Sequence, residues 1–165
     1  RAVHSRKRVN VFLKLRFYIS KMSKMQDLKL AKLRLKEEDL TLVIMKNGKV
    51  IFETESQGVS GFLQAIEKFG KGLVASSVAD KIVGAAAAML CAYSEVASVF
   101  AVTISEEGIK VLEGNDIFYQ FENRVPNILN YDRTDVCPFE KLAIGSRDPK
   151  EAYVKLKSFA ESSSV

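Results

Sequence analysis

The sequence predicts a layered α/β domain, and three stretches carry that prediction. The first is Ser77–Tyr93, which opens with Asp80 and Lys81 and then carries no charged residue from Ile82 to Ser94. A helix that is apolar on every side must be buried on every side. This one is too short for a bilayer, which needs about 20 apolar residues, so it reads as a central helix covered by a sheet and by other helices. The second is Asn47-Gly48, set between the β-rich runs Leu40–Met45 and Lys49–Glu55. Both central residues of a tight hairpin turn need positive φ, which makes Asn-Gly a strong hairpin signal. The third is the succession of a β-branched run at Val99–Ile104, a short helix from Ser105 to Glu113, and a further strand at Ile117–Glu122. A strand–helix–strand unit of this kind makes two parallel neighbours joined by a right-handed crossover.

The other elements follow in order. Leu28, Ala31, Leu33 and Leu35 among basic residues predict a short amphipathic helix over Gln26–Lys36, stopped by Glu37-Glu38-Asp39. Of the two hairpin strands, Leu40–Met45 is almost wholly apolar and reads as buried on both faces, whereas the second alternates and reads as an exposed edge. Val59, Phe62, Leu63, Ile66 and Phe69 give one face of a helix over Gly58–Phe69, closed by Gly70-Lys71-Gly72. Leu73–Ser76 is expected as the strand that feeds the central helix, with Ser77 and Asp80 as a capping box at the helix start. Pro126–Asn130 is expected as a helical turn. Pro138 at a first helical position makes Cys137 an N-cap. Ala152, Tyr153, Leu156 and Phe159 outline a last amphipathic helix over Glu151–Ala160.

The 165 residues suit one domain, assigned here to residues 25–165. The net charge of +5 would suggest a nucleic-acid partner, but its distribution argues otherwise. Residues 1–24 hold eight Lys or Arg and no acid, and the rest of the chain holds 17 basic and 20 acidic side chains. No basic face follows from that balance. The sequence has no Met at position 1, and Met22 and Met25 are candidate starts. Residues 1–24 read as a disordered or loosely helical basic leader, a transit-type segment, or an extension foreign to the domain. No run reaches transmembrane length. Two cysteines, Cys91 and Cys137, without a secretory leader suggest a reducing, cytoplasmic setting.

In a layered α/β domain, ligands gather at the carboxyl ends of strands, where the following helices begin. Two such ends carry polar groups: Asp80 and Lys81 after the third strand, Ser105 and Glu106 after the fourth. Two helix N-termini converging on one cleft would suit an anion or polar ligand, because their backbone N–H groups lack helical partners. The same residues could simply cap their helices. Lys81 beside a buried helix start would need an ion partner or a path to solvent. Cys137 is the candidate nucleophile, since a thiol at a helix N-terminus gains thiolate character, but the one histidine, His4, lies in the leader and offers no Cys–His pair. With no C-x-x-C and no histidine in the body of the chain, no metal site and no cofactor is expected. Walker, G-x-G-x-x-G and G-x-S-x-G motifs are also absent.

Leu42–Glu53 with its Asn-Gly turn, Val78-Ala-Asp-Lys-Ile-Val-Gly84 ahead of an alanine run, Asn130, and Thr134-Asp-Val-Cys-Pro-Phe-Glu-Lys141 together resemble one small family. It is an uncharacterised prokaryotic family, a domain of unknown function with a cytidine-deaminase-like fold. The resemblance runs from Asp27 to Leu156 and implies a three-layer α/β/α sandwich with a mixed sheet. Zinc deaminases carry H-x-E or C-x-E at the start of one central helix and P-C-x-x-C at the start of the next. The corresponding places here look like Ala79-Asp80-Lys81 and Ser105-Glu106-Glu107-Gly108, without the metal ligands. Zinc-dependent deamination is therefore not carried over.

Two functions are expected from this reading. One is a metal-free scaffold that binds a nucleotide or other small polar metabolite through Asp80, Lys81, Ser105 and Glu106, with Asn130, Thr134 and Glu140 as further ligand-binding groups. The other is a metal-independent enzyme with Cys137 as nucleophile or redox thiol, assisted by Lys81 or Asp80. A third reading is a purely structural partner protein, with exposed edge strands such as Lys49–Glu55 mediating a homodimer; neither a membrane nor nucleic acid is expected as a partner.

Overall fold

No glycine or proline precedes Gly48, so nothing in the first part of the chain breaks a helix. The computed structural model, which describes residues 2–163, accordingly holds one long helix, α1 (Ala2–Glu37), that joins the basic leader to the helix expected at Gln26–Lys36. The hairpin β1 (Leu42–Lys46) and β2 (Lys49–Thr54) turns through Asn47 at φ 53° and Gly48 at φ 75°. There follow α2 (Ser60–Phe69), a 3₁₀ turn at Gly70–Leu73, β3 (Ser77–Val83), α3 (Ala85–Tyr93), β4 (Ser98–Ser105), α4 (Glu106–Gly114), β5 (Phe118–Val125), α5 (Pro138–Ile144) and α6 (Pro149–Ser163).

The five strands run in the order β2-β1-β3-β4-β5. β1 is antiparallel to both its neighbours, while β3, β4 and β5 are parallel, so the sheet is mixed. Side chains alternate across it. On one face Val43, Met45, Ala79 and Phe100 meet Leu28, Ala31 and Leu35 of α1. On the other, Leu42, Ile44, Val78, Val99 and Ala101 meet α2, α3 and α4. α5 and α6 close over α3 from outside, where Tyr93 stacks on Tyr153 at 4.3 Å between ring centroids. α3 is thus walled in on all sides, as its uncharged sequence requires, and the molecule is an α/β/α sandwich with a mixed sheet.

Two tethers fix α1 to its face. Asp27, buried, accepts the N–H groups of Asn47 and Gly48 at 2.8 and 2.7 Å and so closes the hairpin turn from the helix. Ser77 Oγ donates to Lys24 O at 3.1 Å and accepts from Ser98 Oγ at 2.8 Å, joining α1, β3 and β4.

Two expectations need correction. The strand expected at Leu73–Ser76 lies further on, at Ser77–Val83, so Ser77 and Asp80 are strand residues and not a capping box. The strand register explains this: Ser77 to Val83 pair in parallel with Ser98 to Ile104, and the helix starts only after Gly84. Pro126–Asn130 is not a helical turn; the chain bends at Pro126 and then forms an isolated β-bridge between Leu129 and Val136.

Candidate functional site

β3 and β4 are parallel neighbours, and each runs directly into a helix, so the N-termini of α3 and α4 lie side by side at one edge of the sheet. Ser105 ends β4 and caps α4 by accepting the Gly108 N–H at 3.0 Å. Its hydroxyl then donates to Glu140 Oε1 at 2.8 Å. Glu140 comes from α5, is 2% exposed, and its Oε2 accepts the Ala86 N–H at 3.4 Å, with the Ala85 N–H also directed at the carboxylate. The convergence of two helix N-termini foreseen from the sequence therefore exists, and the chain's own carboxylate fills it. Helix dipoles favour a negative group there. Burial nevertheless holds the Glu140 carboxyl above the usual carboxylate range; the hydrogen bonds from Ser105, Ala86 and Ala85 pull it down, and nearby Glu107 raises it further.

Glycine makes this contact possible. A Cβ at Gly84 would lie 2.2 Å from Glu140 Oε2 and 2.8 Å from Ile128 Cγ1, and one at Gly108 would lie 2.7 Å from Val83 O. No side chain fits at either position without moving the site.

Asp80 is elsewhere. It sits mid-strand on β3 with Leu42 of β1 and Ala101 of β4 as its cross-strand neighbours. Its side chain is half-buried on the α3 face, near Cys91, whose thiol is held well above the ordinary range by its own burial first and by the Asp80 charge second. Asp80 Oδ1 accepts the Ile82 N–H at 2.9 Å, and no cation among the described residues pairs with it. Burial outweighs that one hydrogen bond and pushes the carboxyl up to about 7. Lys81, the next residue, points to the opposite face, where its Nζ donates to Asp39 Oδ1 at 2.6 Å near solvent. Asp80 and Lys81 thus do not share a pocket: the strand separates what a helix start would have brought together.

The remaining candidates divide by role. Glu106 is exposed and pairs with Arg124 at 3.4 Å, away from Glu140. Asn130 holds the loop before α5: its Oδ1 accepts the N–H groups of Thr134 and Asp135, and its Nδ2 donates to Thr134 Oγ1 at 3.1 Å. Cys137 is the N-cap of α5, half-buried, with its N–H bonded to Ile128 O at 2.9 Å and no side-chain cap bond. Both cysteines are free. Of the sequence-predicted set, the structure brings Ser105 to Glu140 at the helix N-termini and Asn130 to Thr134 within the loop before α5, and these two pairs are separate from Asp80 and Lys81. Gly84 and the alanines after it read from the sequence as close-packing residues, but sequence reasoning missed that Gly84 and Gly108 make room for this contact and that the Ala85–Ala86 backbone receives the carboxylate; Gly84 between a β-branched run and the alanines was the signal that could have marked the helix start. Among the described residues no group of three or more His, Cys, Asp or Glu side chains is placed to hold a metal ion.

The model of a family described as a domain of unknown function, DUF1893, matches residues 30–160. The crystal structure of a DUF1893 family protein from Thermotoga maritima superposes with a TM-score of 0.74 at 28% identity, over 81% of this chain and 89% of that one. A dCMP deaminase from the cyanophage S-TIM5 matches with a TM-score of 0.42 at 14% identity, over 62% of this chain and 96% of that one. RibD from Acinetobacter baumannii matches with a TM-score of 0.42 at 17% identity, over 62% of this chain and 35% of that one. At these scores the last two have no bearing on chemistry. No functionally curated protein matches the sequence.

Proposed function

We propose that this chain, which belongs to the DUF1893 family, binds a small polar metabolite through Asp80, and that the ligand presents an N–H edge, as a nucleobase does. One observation carries the reading: a half-buried carboxyl in the middle of the sheet, with no cation among the described residues paired to it, which burial pushes up to about 7. Strongly shifted, desolvated acids cluster at functional sites. A carboxyl flanked by Leu42 and Ala101 gains most from a ligand that supplies hydrogen-bond donors where water is scarce. Glu140 does not compete for this role, because Ser105 and the α3 backbone already satisfy it.

A panel of nucleobases, nucleosides and nucleotides, read by melting temperature at pH 6 and pH 8, tests the proposal. We expect at least one compound to raise the melting temperature, the shift to vanish in both Asp80→Asn and Asp80→Ala, and Lys81→Ala to retain it. A flat panel at both pH values, or a shift that survives both Asp80 variants, overturns it.

A further inference from the structure

The two faces of the sheet are covered unequally. Among the described residues five helices lie on one side and α1 alone on the other, and only its C-terminal half reaches the sheet through Leu28, Ala31 and Leu35. Upstream, Phe12, Leu15, Tyr18, Ile19 and Met22 are between 54% and 73% exposed. Their spacing of three and four residues places them along one side of the helix. The stripe continues through Met25 into an open groove of about 740 Å³ beside Gln120 of β5. No acid occurs before Asp27, which is turned inward onto the hairpin turn.

Lys14, Arg16 and Lys21 border this stripe and no acid does, while Leu13 and Phe17, also exposed, face the other way; an apolar and wholly cationic helix segment of this kind limits its occupant. A second copy of this helix would bring the same cations, and like charges would face one another. A surface of anionic lipid supplies both an apolar layer and the opposite charge. Among the described residues no helix is long and apolar enough to cross a membrane, so the contact would lie in the interfacial plane. We propose that the Phe12–Met25 part of α1 docks on an anionic lipid surface and holds the domain against it.

Co-sedimentation of the full chain with vesicles tests this. Pelleting is expected with mixed phosphatidylglycerol and phosphatidylcholine vesicles, not with phosphatidylcholine alone, and it should weaken as salt is raised. The pair Lys14→Glu with Lys21→Glu should lower the partition coefficient by roughly fivefold or more for each cation removed. The pair Ile19→Ser with Met22→Ser should lower it as well, with the domain's melting temperature unchanged in both. Absence of pelleting with the anionic vesicles overturns the proposal, as does pelleting that both pairs leave intact. Dimerisation in light scattering that Ile19→Ser with Met22→Ser abolishes, without vesicle binding, would assign the stripe to a second copy and equally overturn it.

Discussion

Glu140 and Asp80 are acids on the same side of the sheet, and burial raises both above the ordinary carboxylate range. They differ in what surrounds them. Glu140 has the Ser105 hydroxyl from the end of β4 and backbone N–H groups from the start of α3 gathered around it, whereas Asp80 has the amide two residues along its own strand. A buried polar group with its partners supplied is part of the architecture; one left short of partners is costly, and the cost is tolerated where a ligand or a proton completes it. The comparison separates a structural clamp from a candidate binding group, although both show the same direction of titration.

The largest expected effect lies at the clamp. Gly84→Ala puts a Cβ against a carboxylate that β4 and α3 hold in place, and overpacking of this kind should destabilise by about 3 kcal/mol. Glu140→Ala removes the obstacle but leaves the Ser105 hydroxyl and the Ala86 N–H short of a partner, at a cost of roughly 1–3 kcal/mol. Together the two changes should cost less than their sum by about 1 kcal/mol, the remaining strain coming from Ile128. Denaturant unfolding of the wild type, both single variants and the double variant checks this. Strict additivity would show that Gly84 does not serve the carboxylate.

That contact also shows where sequence reading reached and where it stopped. Asn47-Gly48 was legible because the turn is decided by the backbone of two adjacent residues. The burial of α3 was legible because a helix of Ala, Met, Leu and Cys has no side to give to water. Ser105 was legible as a cap, since the Gly108 amide lies within one turn. The boundary between β3 and α3 was not: Ser77 to Val83 reads equally well as the first turns of an apolar helix, and Ser77-x-x-Asp80 imitates a cap. What fixes the boundary is parallel pairing with β4 and a carboxylate arriving from α5, and neither is encoded nearby. The error carried into the site, because moving Asp80 and Lys81 from a helix start to a strand sends them to opposite faces.

A smaller effect is expected at Asp80, with a distinctive pH dependence. Folding favours its protonated form, so the wild type should lose stability as pH rises from the unfolded-state value of about 3.9 to about 7 in the folded state, and the loss should level off above that. Asp80→Asn keeps an acceptor for the Ile82 N–H and removes the charge. It should be more stable than the wild type by about 1–2 kcal/mol at pH 8, a discounted figure because the side chain keeps some exposure and the new amide lacks a partner. The difference should fade toward pH 4. Unfolding free energies of both proteins across this range measure it, and a constant difference would mean that Asp80 is solvated like any surface acid.

The smallest effect is expected one residue further on. Lys81 faces away from Asp80 and pairs with Asp39, a side chain that is 93% exposed, so the pair is a surface ion pair of little consequence for stability. The same contact holds the Asp39 carboxyl below its ordinary range, through the hydrogen bond first and the charge second. Lys81→Ala should therefore leave the melting temperature where it was and let Asp39 titrate at a higher pH, as followed by carboxyl NMR. It should also leave intact any ligand response that depends on Asp80. Loss of that response in Lys81→Ala would mean that the two neighbours act on one ligand after all, and strand alternation across β3 would have to give way to a conformation that turns them to the same side.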